Sequence, residues 1–156
     1  MPEPAAATIR LLDRSDLDVL LASGPEVFDN EIIPDLARAF LERQDYDIAA
    51  ALDGDRLVGM ATGFTYFHPD KPLEYYVNEV GVHDGYLRRG IAGQLMRTLF
   101  ARARERGCTY CWLGTEEDNV AANALYESLG GRPQKMNFYE FDLSKPVPET
   151  GPGGAG

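Results

Sequence analysis

The sequence predicts an α/β protein with a mixed, mostly antiparallel central sheet that is flanked by helices. Strand-like and helical segments alternate in the order β-α-α-β-β-β-α-β-α-β. An Asp53-Gly54-Asp55 turn joins two apolar extended segments, and one long segment has an apolar residue at every helical turn. The 156 residues suit one domain, which we expect over residues 1–145, followed by a Pro/Gly-rich tail at 146–156 that we expect to be disordered.

The N-terminal segments predict one strand and two helices. Ile9–Leu12 is a short apolar strand, and Ser15 with Asp18 three residues later has the spacing of a helix N-cap. A second helix is expected after Pro34, because proline is favoured in the first turn of a helix. Its predicted buried face consists of Leu36, Phe40 and Leu41.

The middle of the chain predicts three strands. Tyr46–Leu52 and Arg56–Tyr66 form a hairpin, and Glu74–Val82 follows after a loop. Alternation along the second strand places five side chains on one face: Val58, Met60, Thr62, Phe64 and Tyr66.

The remaining elements are a long helix, a strand, a second helix and a last strand. The long helix is expected from about Arg89 to Arg106, then a strand at Thr109–Gly114, a helix at Asn119–Leu129 and a strand at Met136–Leu143. The apolar stripe of the long helix consists of Ile91, Leu95, Leu99 and Ala103.

The charge distribution limits the classes of partner. The net charge is −10, and residues 15–37 contain six carboxylates and no Lys or Arg. Such a surface repels nucleic acid and acidic membranes and attracts polycations, although a merely solubilising role is the alternative. No apolar stretch is long enough to span a membrane, and the N-terminus lacks the pattern of a signal peptide, so we expect a cytoplasmic protein.

The metal-ligating residue types are few. Cys108 and Cys111 are three residues apart on a predicted strand and therefore point to opposite faces, which suits neither a disulfide nor a shared metal. With His68 and His83 as the only histidines, the sequence predicts no metal site.

The segment most informative about chemistry is a turn between a strand and the long helix. It reads Tyr86-Leu87-Arg88-Arg89-Gly90-Ile91-Ala92-Gly93. A helix start leaves backbone N–H groups unpaired at the positive end of the helix dipole, and Gly90 and Ala92 let a phosphate approach them. The spacing matches neither a Walker loop nor a dinucleotide fingerprint. An ordinary helix start with two surface arginines remains the alternative.

Two blocks resemble the GNAT superfamily of acetyl-CoA-dependent N-acetyltransferases. Arg88–Ala92 resembles the superfamily's pyrophosphate-binding signature, Arg/Gln-x-x-Gly-x-Gly/Ala. About thirty residues later, Asn119–Gly130 resembles its second block, Asn-x-x-Ala-x-x-Leu-Tyr-x-x-x-Gly. Leu87 departs from the signature by standing at the Arg/Gln position, which weakens side-chain contacts to the pyrophosphate without removing the backbone N–H groups.

Within that superfamily the chain from Glu26 to Leu143 is most similar to the type I aminoglycoside 3-N-acetyltransferases. The similarity includes Val27-Phe28-Asp29, Tyr75–Val82 and Phe141-Asp142-Leu143. Those enzymes carry Asp where this chain has Glu79, so the carboxylate is kept but displaced by one methylene.

The resemblance implies a GNAT fold and a set of functional residues. Glu79 is the implied general base, and Tyr126 the implied general acid for the departing thiolate, with direct transfer to the amine. Their alternatives are a carboxylate that only positions substrate or faces solvent, and a core tyrosine. The residues expected to hold acetyl-CoA are Val80, Gly81, Val82, Leu87, Arg88, Arg89, Gly90, Ile91, Ala92, Gly93, Asn119 and Tyr126.

The expected substrate is a small polycationic amine, with the 3-amine of aminoglycoside antibiotics, and hence antibiotic resistance, as the preferred hypothesis. An acidic cage would bind it, formed by Asp29, Asn30, Glu31, Glu79, Glu116, Glu117, Asp118 and Asp142. The alternatives are an acetyltransferase for polyamines or peptide amines, and a non-catalytic acyl-CoA-binding sensor. A homodimer is compatible with the sequence, with Tyr139 and Phe141 as candidate contacts.

Overall fold

The computed structural model describes residues 6–149, which form one five-stranded sheet and four α-helices. The strands are β1 (Thr8–Leu11), β2 (Tyr46–Asp53), β3 (Arg56–His68), β4 (Lys71–Val82) and β5 (Tyr110–Trp112). The helices are α1 (Leu17–Leu21), α2 (Pro34–Glu42), α3 (Ile91–Glu105) and α4 (Val120–Ser128). No helix within residues 6–149 has both the length and the apolar character needed to cross a membrane.

The sheet confirms the predicted mixed, mostly antiparallel architecture. The strands lie in sequence order from β1 to β5, with antiparallel neighbours up to β4 and a parallel β4–β5 pair. The parallel pair is short, because only Glu74–Tyr76 of β4 lie opposite Tyr110–Trp112 of β5. Beyond that point the two strands separate.

Helices cover both faces of the sheet and divide the core into two clusters. On one face, the predicted stripe of α3 is buried against small residues of β2 and β3. Gly59 is one of these, and a Cβ at that position would touch Ile91 and Leu95. On the other face, α1 and α2 pack on Ile48, Ala50 and Met60 through Leu20 and Ala37. The small residues of the sheet let both layers approach closely.

A buried ion cluster attaches the C-terminal end of α3 to β2. Asp47 accepts two hydrogen bonds of 2.8 Å from the guanidinium of Arg106 and one of 2.9 Å from the Tyr75 hydroxyl. Arg102 adds a contact of 3.3 Å to the same carboxylate. The Asp47 side chain is only 6% exposed, so these partners offset the cost of removing its carboxylate from water.

The structure corrects three local predictions. Asp13, not Ser15, caps the first helical turn, since Asp13 and Asp16 form a reciprocal capping box. Leu36 is 63% exposed, because the inward position on α2 is taken by Ala37. Val58 packs on the α3 side instead of sharing a face with Met60, because a bulge in β3 changes the alternation there.

The predicted last strand is also wrong. Residues 136–143 form no strand with any part of the described chain, and their large apolar side chains are exposed. Apolar composition favours a strand but does not provide a neighbouring strand. A strand needs such a neighbour, because its backbone N–H and C=O groups must be paired. Of the predicted tail, residues 150–156 lie outside the described residues.

Candidate active site

The separation of β4 from β5 creates the opening at which the site is built. Residues 77–82 of β4 pair with β3 on one side and have no strand on the other. Val80, Gly81 and Val82 therefore present one unpaired backbone edge to the opening. An extended ligand can bind such an edge through main-chain hydrogen bonds, as an added strand would.

The turn before α3 forms a cradle of backbone N–H groups. Arg88 and Gly90 both have positive φ angles, 62° and 73°, and Gly90 is the N-cap of α3. Within residues 6–149, none of the N–H groups of residues 88–93 donates to a protein acceptor. Successive N–H groups in such a turn form an anion-binding concavity, and the dipole of a 15-residue helix adds positive potential. This arrangement fits the pyrophosphate of coenzyme A.

The two arginines of the turn have different surroundings. Arg89 donates to the carbonyl of Gly85 at 2.9 Å and lies over the Tyr86 ring, with 4.9 Å between the guanidinium and the ring centroid. Its side chain therefore holds the turn in shape. Arg88 is exposed and has no hydrogen bond or ion pair with the described part of the chain, so it is available to a phosphate. Leu87 is exposed beside it.

Gly81 is required by a close approach of the loop between α1 and α2. A Cβ at Gly81 would overlap the backbone carbonyl oxygen of Val27. The sequence predicts either a bulge or a close approach here. The close approach is at Gly81. The bulge lies nearby at Asn78, which has no partner residue on β3 because the β3–β4 register shifts there. The bulge immediately precedes Glu79 and sets the direction of its side chain.

Glu79 is a half-buried carboxylate on the same strand. The backbone N–H of Asp29 donates to its Oε1 at 3.4 Å, so the loop that packs on Gly81 also contacts Glu79. Burial raises the pKa of Glu79, the nearby charge of Asp29 adds to this, and the hydrogen bond from the Asp29 N–H opposes it. A carboxylate with a raised pKa accepts a proton more readily than an ordinary surface glutamate.

Tyr126 lies on α4, next to the start of α3. Its side chain is half-buried against the α3-side core, and burial raises the pKa of its hydroxyl. The two helices approach where the Leu125 side chain lies near Gly93, with 3.7 Å between Leu125 Cδ1 and an ideal Cβ on the glycine. The residue before Tyr126 therefore lies beside the cradle, and the Tyr126 hydroxyl stays protonated at neutral pH.

Asn119 serves as the N-cap of α4. Its Oδ1 accepts the N–H of Ala122 at 3.1 Å. Only its amide nitrogen, which has no acceptor within residues 6–149, is left for a ligand.

The predicted acidic residues fall into three groups. Asp29, Asn30 and Glu31 are exposed on the loop that contacts Glu79. Residues 116–118 are exposed on the β5–α4 loop, and Asp142 is bound by Ser144 and by Lys145 at 3.7 Å. Within residues 6–149 no hydrogen bond joins these groups to one another, and the contact that the structure gives between predicted substrate residues is the one from the Asp29 N–H to Glu79.

The sequence analysis missed residues that position the site without reacting. Val27 supplies the carbonyl that rests on Gly81, and Asn78 forms the bulge before Glu79. The Asn123 side chain donates to the carbonyls of Glu116 and Asn119 at 3.0 and 2.9 Å, which fixes the β5–α4 loop. All three lie within segments that carry the family resemblance: Val27 in Val27-Phe28-Asp29, Asn78 in Tyr75–Val82 and Asn123 in Asn119–Gly130.

Comparison with known proteins agrees with this geometry. The sequence model of the Acetyltransferase (GNAT) family matches residues 15–131. N-alpha-acetyltransferase RimI of Mycobacterium tuberculosis is 42% identical over 80 residues, which is 51% of this chain and 48% of that protein. L-2,4-diaminobutyric acid acetyltransferase of Streptomyces coelicolor is 40% identical over 76 residues, or 48% and 44%. The chain thus spans about half the length of the curated relatives it matches.

Solved structures share the fold. An aminoglycoside acetyltransferase from an uncultured soil metagenomic sample, in complex with sisomicin, superposes with a TM-score of 0.75 at 17% identity, covering 86% of this chain and 95% of that one. Aminoglycoside N-acetyltransferase AAC(6')-Iy in complex with CoA gives 0.73 at 15% identity, covering 92% and 99%. With the family model spanning most of the chain and the cradle suited to coenzyme A, this protein belongs to the GNAT family of acetyltransferases, whose acetyl donor is acetyl-CoA.

Proposed function

We propose that this protein transfers an acetyl group from acetyl-CoA to an amine of a polycationic small molecule, with the 3-amine of aminoglycosides as the preferred acceptor. The observation that carries the proposal is Glu79, a half-buried carboxylate of raised pKa beside the β4–β5 opening and in contact with the acidic 29–31 loop. A cationic amine is attracted to that loop, and Glu79 can take its proton.

In this proposal Glu79 acts first, as the base. It accepts a proton from the ammonium group, directly or through water, and the neutral amine then attacks the acetyl carbonyl carbon. Bound acetyl-CoA supplies the activated acetyl group and the thiolate leaving group. A backbone N–H near Val80–Gly81 polarises the carbonyl, and the Tyr126 hydroxyl gives its proton to the departing sulfur. The proton that the attacking nitrogen loses as the amide forms restores the Tyr126 hydroxyl, directly or through water. The products are the acetamide and free coenzyme A.

Direct transfer is favoured over a covalent enzyme intermediate. Burial raises the pKa of the Cys111 thiol to about 11, so at neutral pH it is not a thiolate. Cys108 is buried, and its thiol has one hydrogen-bond partner in the described chain, the Thr65 hydroxyl at 3.9 Å, which is no base.

A second candidate acceptor is the α-amine of a peptide. Relatives named as N-alpha-acetyltransferases support it, including RimI and the 34%-identical N-alpha-acetyltransferase 30 of Schizosaccharomyces pombe, which matches over 80 residues. An acidic loop beside Glu79 suits a peptide with basic residues after its first position as well as it suits an aminoglycoside.

The test is release of coenzyme A thiol from acetyl-CoA in the presence of gentamicin, kanamycin, spermidine or a peptide with an N-terminal alanine. Turnover of the aminoglycosides at a kcat/KM well above the others supports the preferred acceptor. Turnover of the peptide alone replaces it with the second candidate. No turnover of any amine, with CoA binding intact, favours the non-catalytic sensor.

The variant Glu79→Gln tests the base directly. We expect kcat to fall about 10²- to 10⁴-fold, the usual contribution of a general base, while CoA binding by calorimetry stays the same. Glu74→Gln is the matched control, because Glu74 is another partly buried carboxylate on β4 that accepts a hydrogen bond from Tyr66 away from the opening. If both variants retain full turnover, Glu79 is not the base.

A further inference from the structure

A row of aromatic side chains crosses the sheet on the face that also carries Glu79. It runs from α2 across β2, β3 and β4 to β5, with 4.5–5.5 Å between successive ring centroids. Its members are Phe40, Tyr46, Phe64, Tyr76 and Trp112. The adjacent residues Tyr75 and Cys111 pack on the α3-side core instead, so Tyr76 and Trp112 point to the side of α1 and α2.

The β4 member of the row is a neighbour of Glu79. Tyr76 lies opposite Phe64 of β3. Glu79 lies opposite Thr62, two residues before Phe64 and on the same face of that strand. The bulge at Asn78 therefore leaves Tyr76 and Glu79 as neighbours on one face, about 7 Å apart along the sheet.

The β5 member of the row lies where the opening between β4 and β5 begins. Trp112 is opposite Tyr76 in the last residue pair of the parallel ladder, and it is 38% exposed. Its indole is held in place because Nε1–H donates to the Tyr66 hydroxyl at 2.5 Å. We call Tyr76 and Trp112 the aromatic floor. It lies at the closed end of the opening, next to Glu79.

The floor contains a hydroxyl that the chain itself does not use. Tyr66 on β3 donates its hydroxyl to Glu74 at 2.5 Å. Tyr75, the residue before Tyr76, donates to Asp47 at 2.9 Å. Within residues 6–149 the hydroxyl of the partly buried Tyr76 has no hydrogen-bond partner. A partly buried polar group without a protein partner is available to a ligand.

The two ends of the row differ in whether a cation occupies them. At the α2 end, the guanidinium carbon of Arg43 lies over the Tyr46 ring, 4.8 Å from its centroid. Within the described residues no Lys or Arg side chain lies over the rings of Tyr76 and Trp112. The end beside Glu79 is therefore open to a cation from outside the chain.

We propose that the aromatic floor binds a second ammonium group of the acceptor while Glu79 holds the amine that is acetylated, an inference that rests on the acetyl transfer proposed above. The face of an aromatic ring carries negative potential, and tryptophan attracts cations most strongly. The Tyr76 hydroxyl oxygen can accept an N–H of the same group. The floor therefore favours acceptors with two amines about 7 Å apart over single amines.

Binding to the floor can be measured without turnover. Trp112 is the only tryptophan of the 156 residues, so tryptophan fluorescence reports on the floor alone. In the complex with free coenzyme A, which has no acetyl group to transfer, spermidine, gentamicin and pentylamine are titrated. We expect a saturable change with spermidine and gentamicin, and a higher Kd for pentylamine, which has a single amine.

Fluorinated tryptophan tests the cation contact itself. Biosynthetic incorporation of mono-, di- and trifluorinated tryptophan alters Trp112 alone and lowers the negative potential of the ring with little change in its shape. The Kd and KM of spermidine should rise stepwise, by about 2- to 30-fold in total, which is the range of a cation–π contact. The kcat should not change, because the contact binds ground state and transition state equally.

Tyr110→Leu is the matched control for effects on β5. Tyr110 is another exposed aromatic residue of this strand, but it lies opposite Glu74, at the end of the ladder away from Glu79. That variant should keep the KM of the wild type.

The outcomes separate this inference from the proposed acetyl transfer. Turnover of spermidine or gentamicin with a KM that fluorination does not change overturns the floor and leaves the transfer standing. No turnover of any amine, with Kd values that still rise on fluorination, refutes the transfer and supports the cation site. Equal Kd values for spermidine and pentylamine, or no change in Trp112 fluorescence with any amine, also overturn the floor.

Discussion

Substitution of Gly81 by alanine tests whether the loop between α1 and α2 positions Glu79. The added methyl would overlap the Val27 carbonyl, and real Cβ atoms essentially never approach another heavy atom within 3.0 Å. An ordinary C···O contact is about 3.3–3.6 Å, so the loop or β4 must move by about 1 Å. Because the Asp29 N–H on that loop donates to Glu79, the same movement displaces the loop from the carboxylate.

The expected loss in kcat/KM for Gly81→Ala is on the order of 10²-fold, the effect of a displacement of about 1 Å at a reacting group. Overpacking should also lower the free energy of unfolding by about 1–3 kcal/mol. The thiol-release assay and urea unfolding measure the two effects.

Gly59→Ala is the control for Gly81→Ala. Gly59 lies in the same sheet but faces α3, and its Cβ would meet only side-chain atoms at 3.1–3.4 Å. That variant should lose some stability and keep its activity. A Gly81→Ala enzyme with kcat/KM within about twofold of the wild type would refute the argument that the loop sets the site.

Four further predictions concern the acid, the base and the core. Tyr126→Phe should lower kcat about 10²-fold or more with little change in the KM for acetyl-CoA, since only proton donation is removed; an unchanged kcat excludes this role. Burial raises the pKa of Glu79, so kcat/KM should fall as the pH drops through that raised pKa, and Glu79→Gln should remove this limb of the profile. The same raised pKa stabilises the fold at low pH and loses this contribution as the pH rises through it, so Glu79→Gln should melt at a higher temperature than the wild type at neutral pH; a lower one contradicts the assignment. Asp47→Ala should cost about 3–5 kcal/mol in urea unfolding, because it leaves the mostly buried guanidinium of Arg106 without its carboxylate partner; a cost below about 1 kcal/mol would mean that the cluster relaxes around the other acceptors of Arg106, Thr65 and the Gln44 carbonyl.

Much of the fold could be predicted because its signals are local. The stripe of α3 repeats with the helical period, and all four of its residues are buried. The Asp53-Gly54-Asp55 turn and the apolar segments beside it define the β2–β3 hairpin. Predictions failed where contacts with distant parts of the chain decide which residue is buried. At α2 Ala37 is buried instead of Leu36, and at Val58 a bulge alters the alternation of side chains.

Some features of the candidate site could likewise be predicted from local sequence, whereas others could not. The cradle at residues 88–93 was predictable, because a glycine at a helix start exposes backbone N–H groups whatever the rest of the chain does. The surroundings of Glu79 were not, because its hydrogen bond comes from Asp29, fifty residues away in sequence. Asn119 was expected to bind cofactor, and only the structure showed that its Oδ1 caps α4.

The sequence by itself determined the α/β class, the positions of four helices and five strands, and the exposed backbone N–H groups of the turn before α3, since each depends on residues that are adjacent along the chain. Only the tertiary structure decided that β4 and β5 separate after three paired residues, that the Val27 carbonyl rests on Gly81, and that residues 136–143 find no edge within their own chain. These features depend on which distant backbone groups meet. Local periodicity does not specify such contacts, because it fixes which face of an element is apolar but not which surface covers it.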